Sequence, residues 1–82
     1  MKLFWPMAIV IDNGKEEKMF SYGGLPTVDK ALKNIETWNE IYWVRKAWID
    51  VTDTQDDNFK DVLSVKWGKV ENAHLEEEVD HD

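Results

Sequence analysis

TVDKALKNIETWNEIYWVRKAWIDVT, residues 27–52, decides the fold, because a helix-period pattern runs into a strand-period pattern with almost no linker between them. Val28, Ala31, Leu32, Ile35, Trp38 and Tyr42 recur at helical spacing and form one apolar stripe, while Lys30, Lys33, Glu36 and Glu40 look outward. In the second half Trp43, Ala47, Ile49 and Val51 share one strand face, interrupted by Arg45. Val44, Lys46, Trp48 and Asp50 share the other. The reading is an amphipathic helix over residues 28–40 that delivers the chain into a strand. Trp48 is out of place, a large aromatic on the polar face.

Upstream, Met7 to Asp12 is apolar up to its last residue and rich in β-branched types, as in a strand covered on both faces or nearly so. Asn13-Gly14 follows, the pair that best tolerates the positive φ angles of a type I′ hairpin turn, and Lys15 to Tyr22 is the return strand. Pro6 lacks an N–H donor, so regular pairing is expected to begin after it. Gly23-Gly24-Leu25-Pro26 breaks the chain, Thr27 is placed to cap the helix, and Asp29 meets the positive end of its dipole. Downstream, Thr52 to Asn58 reads as a polar turn. Phe59 to Val70 reads as a strand, with Leu63, Val65 and Trp67 on one face and Lys60, Ser64 and Lys66 on the other.

The order ββαββ, with a helix that returns the chain across one face, predicts an α+β fold. Its sheet is four-stranded and antiparallel in the order 2-1-3-4. Residues 1–72 form the single domain. Residues 73–82 form a disordered acidic tail, since Leu75 and Val79 are almost its only apolar side chains. The sheet face away from the helix is expected to show Ala8, Val10, Met19, Val44, Trp48 and Val62 among polar residues.

An 82-residue chain makes a small core, which five Trp, three Phe and two Tyr enlarge. With no cysteine there is no disulfide, thiol nucleophile or thiolate metal site, and a reducing cytoplasm is the expected compartment. No signal peptide or membrane span is read, because Pro6 and the charged turn interrupt the N-terminal apolar run. The net charge of −7 is uneven, since residues 1–50 carry seven basic and seven acidic side chains and residues 51–82 carry three and ten. The excess lies at Asp53, Asp56 and Asp57 and in the tail, where it repels nucleic acid and attracts basic partners.

No catalytic set stands against that background. His74 and His81 are the only histidines, their spacing matches no metal motif, and they fall in the tail, so neither a metal nor another cofactor is expected. Gly23-Gly24 lacks the Lys-Ser/Thr pair of a phosphate loop, Ser21 and Ser64 sit in no nucleophile motif, and Asp12 and Asp50 read as solvated strand ends. Lys46, Trp48 and Trp43 suggest a base-stacking platform, but the net charge argues against direct nucleic-acid binding.

The expectation is therefore a non-enzymatic protein-binding module. In size, acidity and lack of cysteine the chain is similar in type to small accessory proteins of phages and mobile elements, among them inhibitors of basic nucleic-acid-handling proteins. A basic partner is expected, contacting Val44, Lys46, Trp48 and Val62 and steered by Asp53, Asp56 and Asp57. The alternative is a homodimer or assembly subunit that pairs through the same sheet face. Trp48 has a structural alternative too, packing on its neighbours or under the 52–58 loop.

Overall fold

The computed structural model describes residues 1–66 and 69–72. In chain order the elements are β1 (Lys2–Asp12), β2 (Lys15–Phe20), α1 (Val28–Ile41), β3 (Trp43–Asp53), β4 (Asp56–Lys66) and β5 (Lys69–Asn72). The strands form one antiparallel sheet in the order β2-β1-β3-β4-β5. The predicted 2-1-3-4 order and ββαββ succession hold, and β5 is added at the outer edge. The strand read over Phe59 to Val70 is in fact two. β4 starts at Asp56 and ends at Lys66, and the chain turns back to pair β5 with it. Trp67, Gly68 and the 73–82 tail lie outside the described residues.

The local signals act as their chemistry requires. Asn13 and Gly14 both take positive φ, 52° and 78°, which is the type I′ hairpin turn. Thr27 is extended, and its hydroxyl accepts from the Lys30 N–H at 3.2 Å to cap α1. At the other end Tyr42 swings to an extended backbone while its N–H still reaches the Trp38 carbonyl, so the helix passes into β3 without a glycine.

Pro6 does not delay β1, contrary to the expectation. Phe4 exchanges backbone hydrogen bonds with Leu25, and the Pro6 carbonyl accepts from Ser21, so at these positions the backbone polar groups point away from β3. The missing N–H thus falls where β2 has already ended, since β2 pairs with β1 only from Met7 onward. The β1–β3 ladder loses nothing, and Pro6 lies opposite Ile49 in full burial.

α1 lies on one sheet face, over a core of Phe4, Ala8 and Val10 from β1, Ala47, Ile49 and Val51 from β3, and Leu63 from β4. Ala31 and Ile35 are the helix residues buried there, while Leu32 is half-buried at the margin. Register sets small against small, with Ala8 opposite Ala47, which lets the helix approach the sheet. Among the described residues no helix is long and apolar enough to cross a membrane.

Candidate functional site

Across the sheet from α1, among the described residues, no element covers the face. Its rows follow from the strand registers, because residues paired across an antiparallel ladder point to the same side. Glu16, Ile11 and Trp43 form one row, and Lys18, Ile9 and Lys46 the next. Phe20, Met7, Trp48 and Ser64 form the middle row. Trp5, Asp50 and Val62 follow, then Leu3, Thr52 and Lys60. Nine apolar side chains, three of them Trp, therefore share a face that has no second layer among the described residues. Trp43, Phe20 and Val62 are 66%, 50% and 48% exposed. An uncovered apolar surface of this kind marks a contact surface more often than a solvated one.

At one end the face is closed down. The Trp5 indole N–H donates to Thr52 Oγ1 at 2.9 Å, and Gly24 runs so close that a Cβ there would meet Leu3 Cβ at 2.8 Å and Trp5 Cε2 at 3.0 Å. The middle is more open. Beside Trp48 a shallow depression of about 450 Å³ is lined by Arg45, Lys46, Val62, Ser64 and Lys66.

The charge of this face opposes that of the chain. Lys18, Lys46, Lys60, Lys66 and Arg45 stand on it against Glu16 and Asp50, and Arg45 and Glu16 form an ion pair with each other. The Lys18 and Lys46 ammonium groups lie 5.9 and 5.5 Å from the Trp48 ring centroid, both within reach of cation–π attraction. The middle of the face is thus an indole with two cations near its ring.

The expected site residues divide. Lys46, Trp48 and Val62 share the open face, as read. Val44 does not: a β-bulge at Arg45 sets Val44 opposite Val10, and it packs against the core. Ala8, Val10 and Met19, also expected on the open face, belong to the helix side, where Ala8 and Val10 are fully buried and Met19 packs against them. β1 is apolar in both alternating sets, so its own composition did not say which set faces inward. The same property hid Leu3, Trp5, Met7, Ile9 and Ile11, and Phe20 follows from its pairing with Met7. The signal was present in a different form: a strand apolar on both faces, with one helix among the described residues, leaves one apolar face without a helix over it.

The acids expected on a 52–58 loop stand on a far tighter turn, with Asp53 ending β3 and Asp56 and Asp57 opening β4. Asp53 Oδ1 accepts from the Gln55 N–H at 2.9 Å and from the Met1 ammonium at 3.0 Å, and Asp56 Oδ1 accepts from the Asn58 N–H at 3.0 Å. These are Asx-type turn contacts. The Gln55 N–H, then the Met1 ammonium, hold the Asp53 carboxyl below the usual carboxylate range. Asp12 and Asp50 are not brought together, since Asp12 pairs with Lys15 at the hairpin and Asp50 with Trp5. Ser21 Oγ is engaged in a turn with the Gly23 backbone. Among the described residues no three His, Asp or Glu side chains converge as metal ligands, and His74 and His81 lie outside those residues.

No protein-family model, curated protein or solved structure matches the chain.

Proposed function

We propose that the chain is a protein-binding module that docks its partner on the open sheet face, with Trp48 as the anchor. The observation that supports this reading is the face left uncovered among the described residues, nine apolar side chains with Lys18 and Lys46 near the Trp48 ring. Trp is the side chain most often found at the energetic centre of an interface, and here its ring is half-buried and makes no hydrogen bond among the described residues.

The partner this face fits is apolar with acidic groups at the rim. The chain's net charge of −7 argues for a basic partner. Yet a docked surface feels mainly the charges within about 8–10 Å at physiological salt. Around Trp48 those are Lys18 and Lys46, with Asp50 in the next row, a net positive set. The same feature weighs against a face-to-face homodimer, in which a twofold axis near Trp48 would bring Lys18 and Lys46 of one copy near those of the other.

The experiment is capture from host lysate by the wild type and by Trp48→Ala and Lys46→Glu variants, followed by direct titration of any captured protein after it has been purified alone. The expected result is one partner, bound by the wild type and weakened at least tenfold, about 1.4 kcal/mol, by Trp48→Ala. Undiminished binding by a folded Trp48→Ala variant would move the docking site elsewhere.

A further inference from the structure

We infer that β2 pairs edge to edge with β2 of a second copy of the chain, antiparallel about a twofold axis perpendicular to the sheet, in the register that sets Glu16 opposite Lys18 of the other copy. β2 is the outermost strand on its side of the sheet, and among the described residues nothing pairs with its outer edge. The hairpin fixes which backbone groups that edge carries. Asp12 and Lys15 flank the two-residue Asn13-Gly14 turn as a hydrogen-bonded pair, so by alternation Val10 with Glu17 and Ala8 with Met19 are hydrogen-bonded pairs too. The Ser21 N–H, donating to the Pro6 carbonyl, continues that series. Glu16, Lys18 and Phe20 therefore turn their N–H and C=O groups outward, a template for another strand. β2 has no proline, and no bulge against β1, that would spoil it.

Charge selects a second β2 as the strand that fits, and it selects the register. The chain carries −7 overall, yet Lys15, Glu16, Glu17 and Lys18 are neutral together. About an axis perpendicular to the sheet, paired residues keep the same face, and outward-turned residues oppose only outward-turned ones. An axis through Glu16 would set Glu16 against itself, and one through Lys18 would set Lys18 against itself, like charges directly opposite. An axis through Met19 would run Glu16 and Glu17 past the end of the other β2. Through Glu17, the axis opposes Glu16 to Lys18 twice, on the side of the sheet away from α1. On the α1 side the two Glu17 carboxylates meet, each with Lys15 of the other copy as a diagonal neighbour. Glu16 keeps its pair with Arg45, because a carboxylate accepts from more than one donor. Phe20 falls beside the turn of the other copy in this register. Phe20 and Tyr22, 50% and 97% exposed with ring centroids 5.4 Å apart, thereby gain cover. The two Trp48 faces then lie on one side of a continuous sheet.

Sedimentation equilibrium of the full chain tests the pairing. The expected result for wild type is twice the chain mass of 9.7 kDa, with dissociation on dilution. Glu16→Lys makes the opposed pair all cationic and Lys18→Glu makes it all anionic, so each variant alone should run at the single-chain mass. An equimolar mixture of the two should recover the doubled mass, since each copy supplies the charge the other lacks. Both side chains are exposed, so the circular dichroism of each variant should match wild type. Amide exchange gives a second reading that needs no variant. The Glu16 and Lys18 N–H groups should be protected in the doubled species and exchange freely on dilution, whereas the Glu17 N–H, bonded to β1, stays protected in both. A wild-type chain of single mass at every concentration up to the millimolar range would overturn the inference. So would a doubled mass that survives either substitution, or variants that stay single when mixed. None of these outcomes bears on the docking reading, which stands or falls with Trp48→Ala.

Discussion

Val10 faces Val44 across the β1–β3 ladder although Ile9, one step earlier, faces Lys46, and the residue passed over is Arg45. This one-residue bulge inverts the alternation of β3. Trp43 and Trp48, an odd number of positions apart, consequently stand on the same open face, while Val44 turns to the core. Arg45 spans the irregularity and pairs with Glu16 on β2.

A charge at Val44 should therefore be far more damaging than a charge at Val62. Val44→Asp is expected to cost about 2 kcal/mol or more, because it places a carboxylate against the helix-covered side. Val62→Asp, on the 48% exposed side chain across the sheet, should shift stability by no more than about 0.5 kcal/mol. Urea unfolding of both variants checks this. Equal midpoints would mean that Val44 does not face the core.

The part of this architecture legible in the sequence was the part written as periodicity. The α1 stripe, the Asn13-Gly14 turn, the Thr27 cap and the alternation of Ala47, Ile49 and Val51 each carry their own phase, and each stands where its spacing requires. Phase was lost where both alternating sets are apolar, as in Leu3 to Ile11, and where a bulge changes it midway, as at Arg45. The bare face followed from those two places. Its principal residue, Trp48, was visible as an anomaly, but its neighbours Met7, Ile9 and Phe20 emerge only from strand pairing. Net charge is likewise a sum over the chain and does not record that Lys18, Lys46, Lys60 and Lys66 gather on one face.

Gly24 is required by contact rather than by backbone conformation. A methyl group there would meet Leu3 Cβ at 2.8 Å and the Trp5 ring at 3.0 Å. Gly24→Ala is expected to cost about 1–3 kcal/mol as overpacking and to disturb the Trp5 indole bond to Thr52. The Trp5 indole N–H resonance and the melting temperature report both effects. Gly23→Ala, where nothing lies within 4 Å, is the control and should be close to neutral.

Asp53 makes stability depend on acid. Its carboxyl is held below the ordinary value of 3.8, first by the Gln55 N–H and then by the Met1 ammonium. A carboxyl depressed in the folded state contributes stability that is fully present above its unfolded value and is lost as pH falls through the lower folded value. Asp53→Asn keeps an oxygen for Gln55 but offers no charge to Met1. The variant should be less stable than wild type at neutral pH, and the difference should close on acidification below about pH 4. Urea midpoints measured stepwise in pH test the sign. A gap that widens in acid would show that Asp53 is not the group responsible.

The open face should be detectable through an apolar anion. Anilinonaphthalene sulfonate carries an aromatic body that suits Trp48, Met7 and Phe20 and a sulfonate that suits Lys18 and Lys46, and it normally reports exposed apolar surface in loosened states. Here the native chain should bind it, because the surface is a feature of the folded sheet. Trp48→Ala should reduce that binding while changing stability by less than about 1.5 kcal/mol, whereas Ile49→Ala on the buried side should cost about 2–4 kcal/mol and leave the native-state dye site in place. Lys46→Glu should weaken dye binding and also flatten its salt dependence, since it removes attraction that salt would otherwise screen. Dye fluorescence titrated under native conditions, alongside urea unfolding of each variant, separates these effects. Binding that appears only as the chain unfolds would show that the face is closed in the native protein, and Trp48 would then belong to its packing.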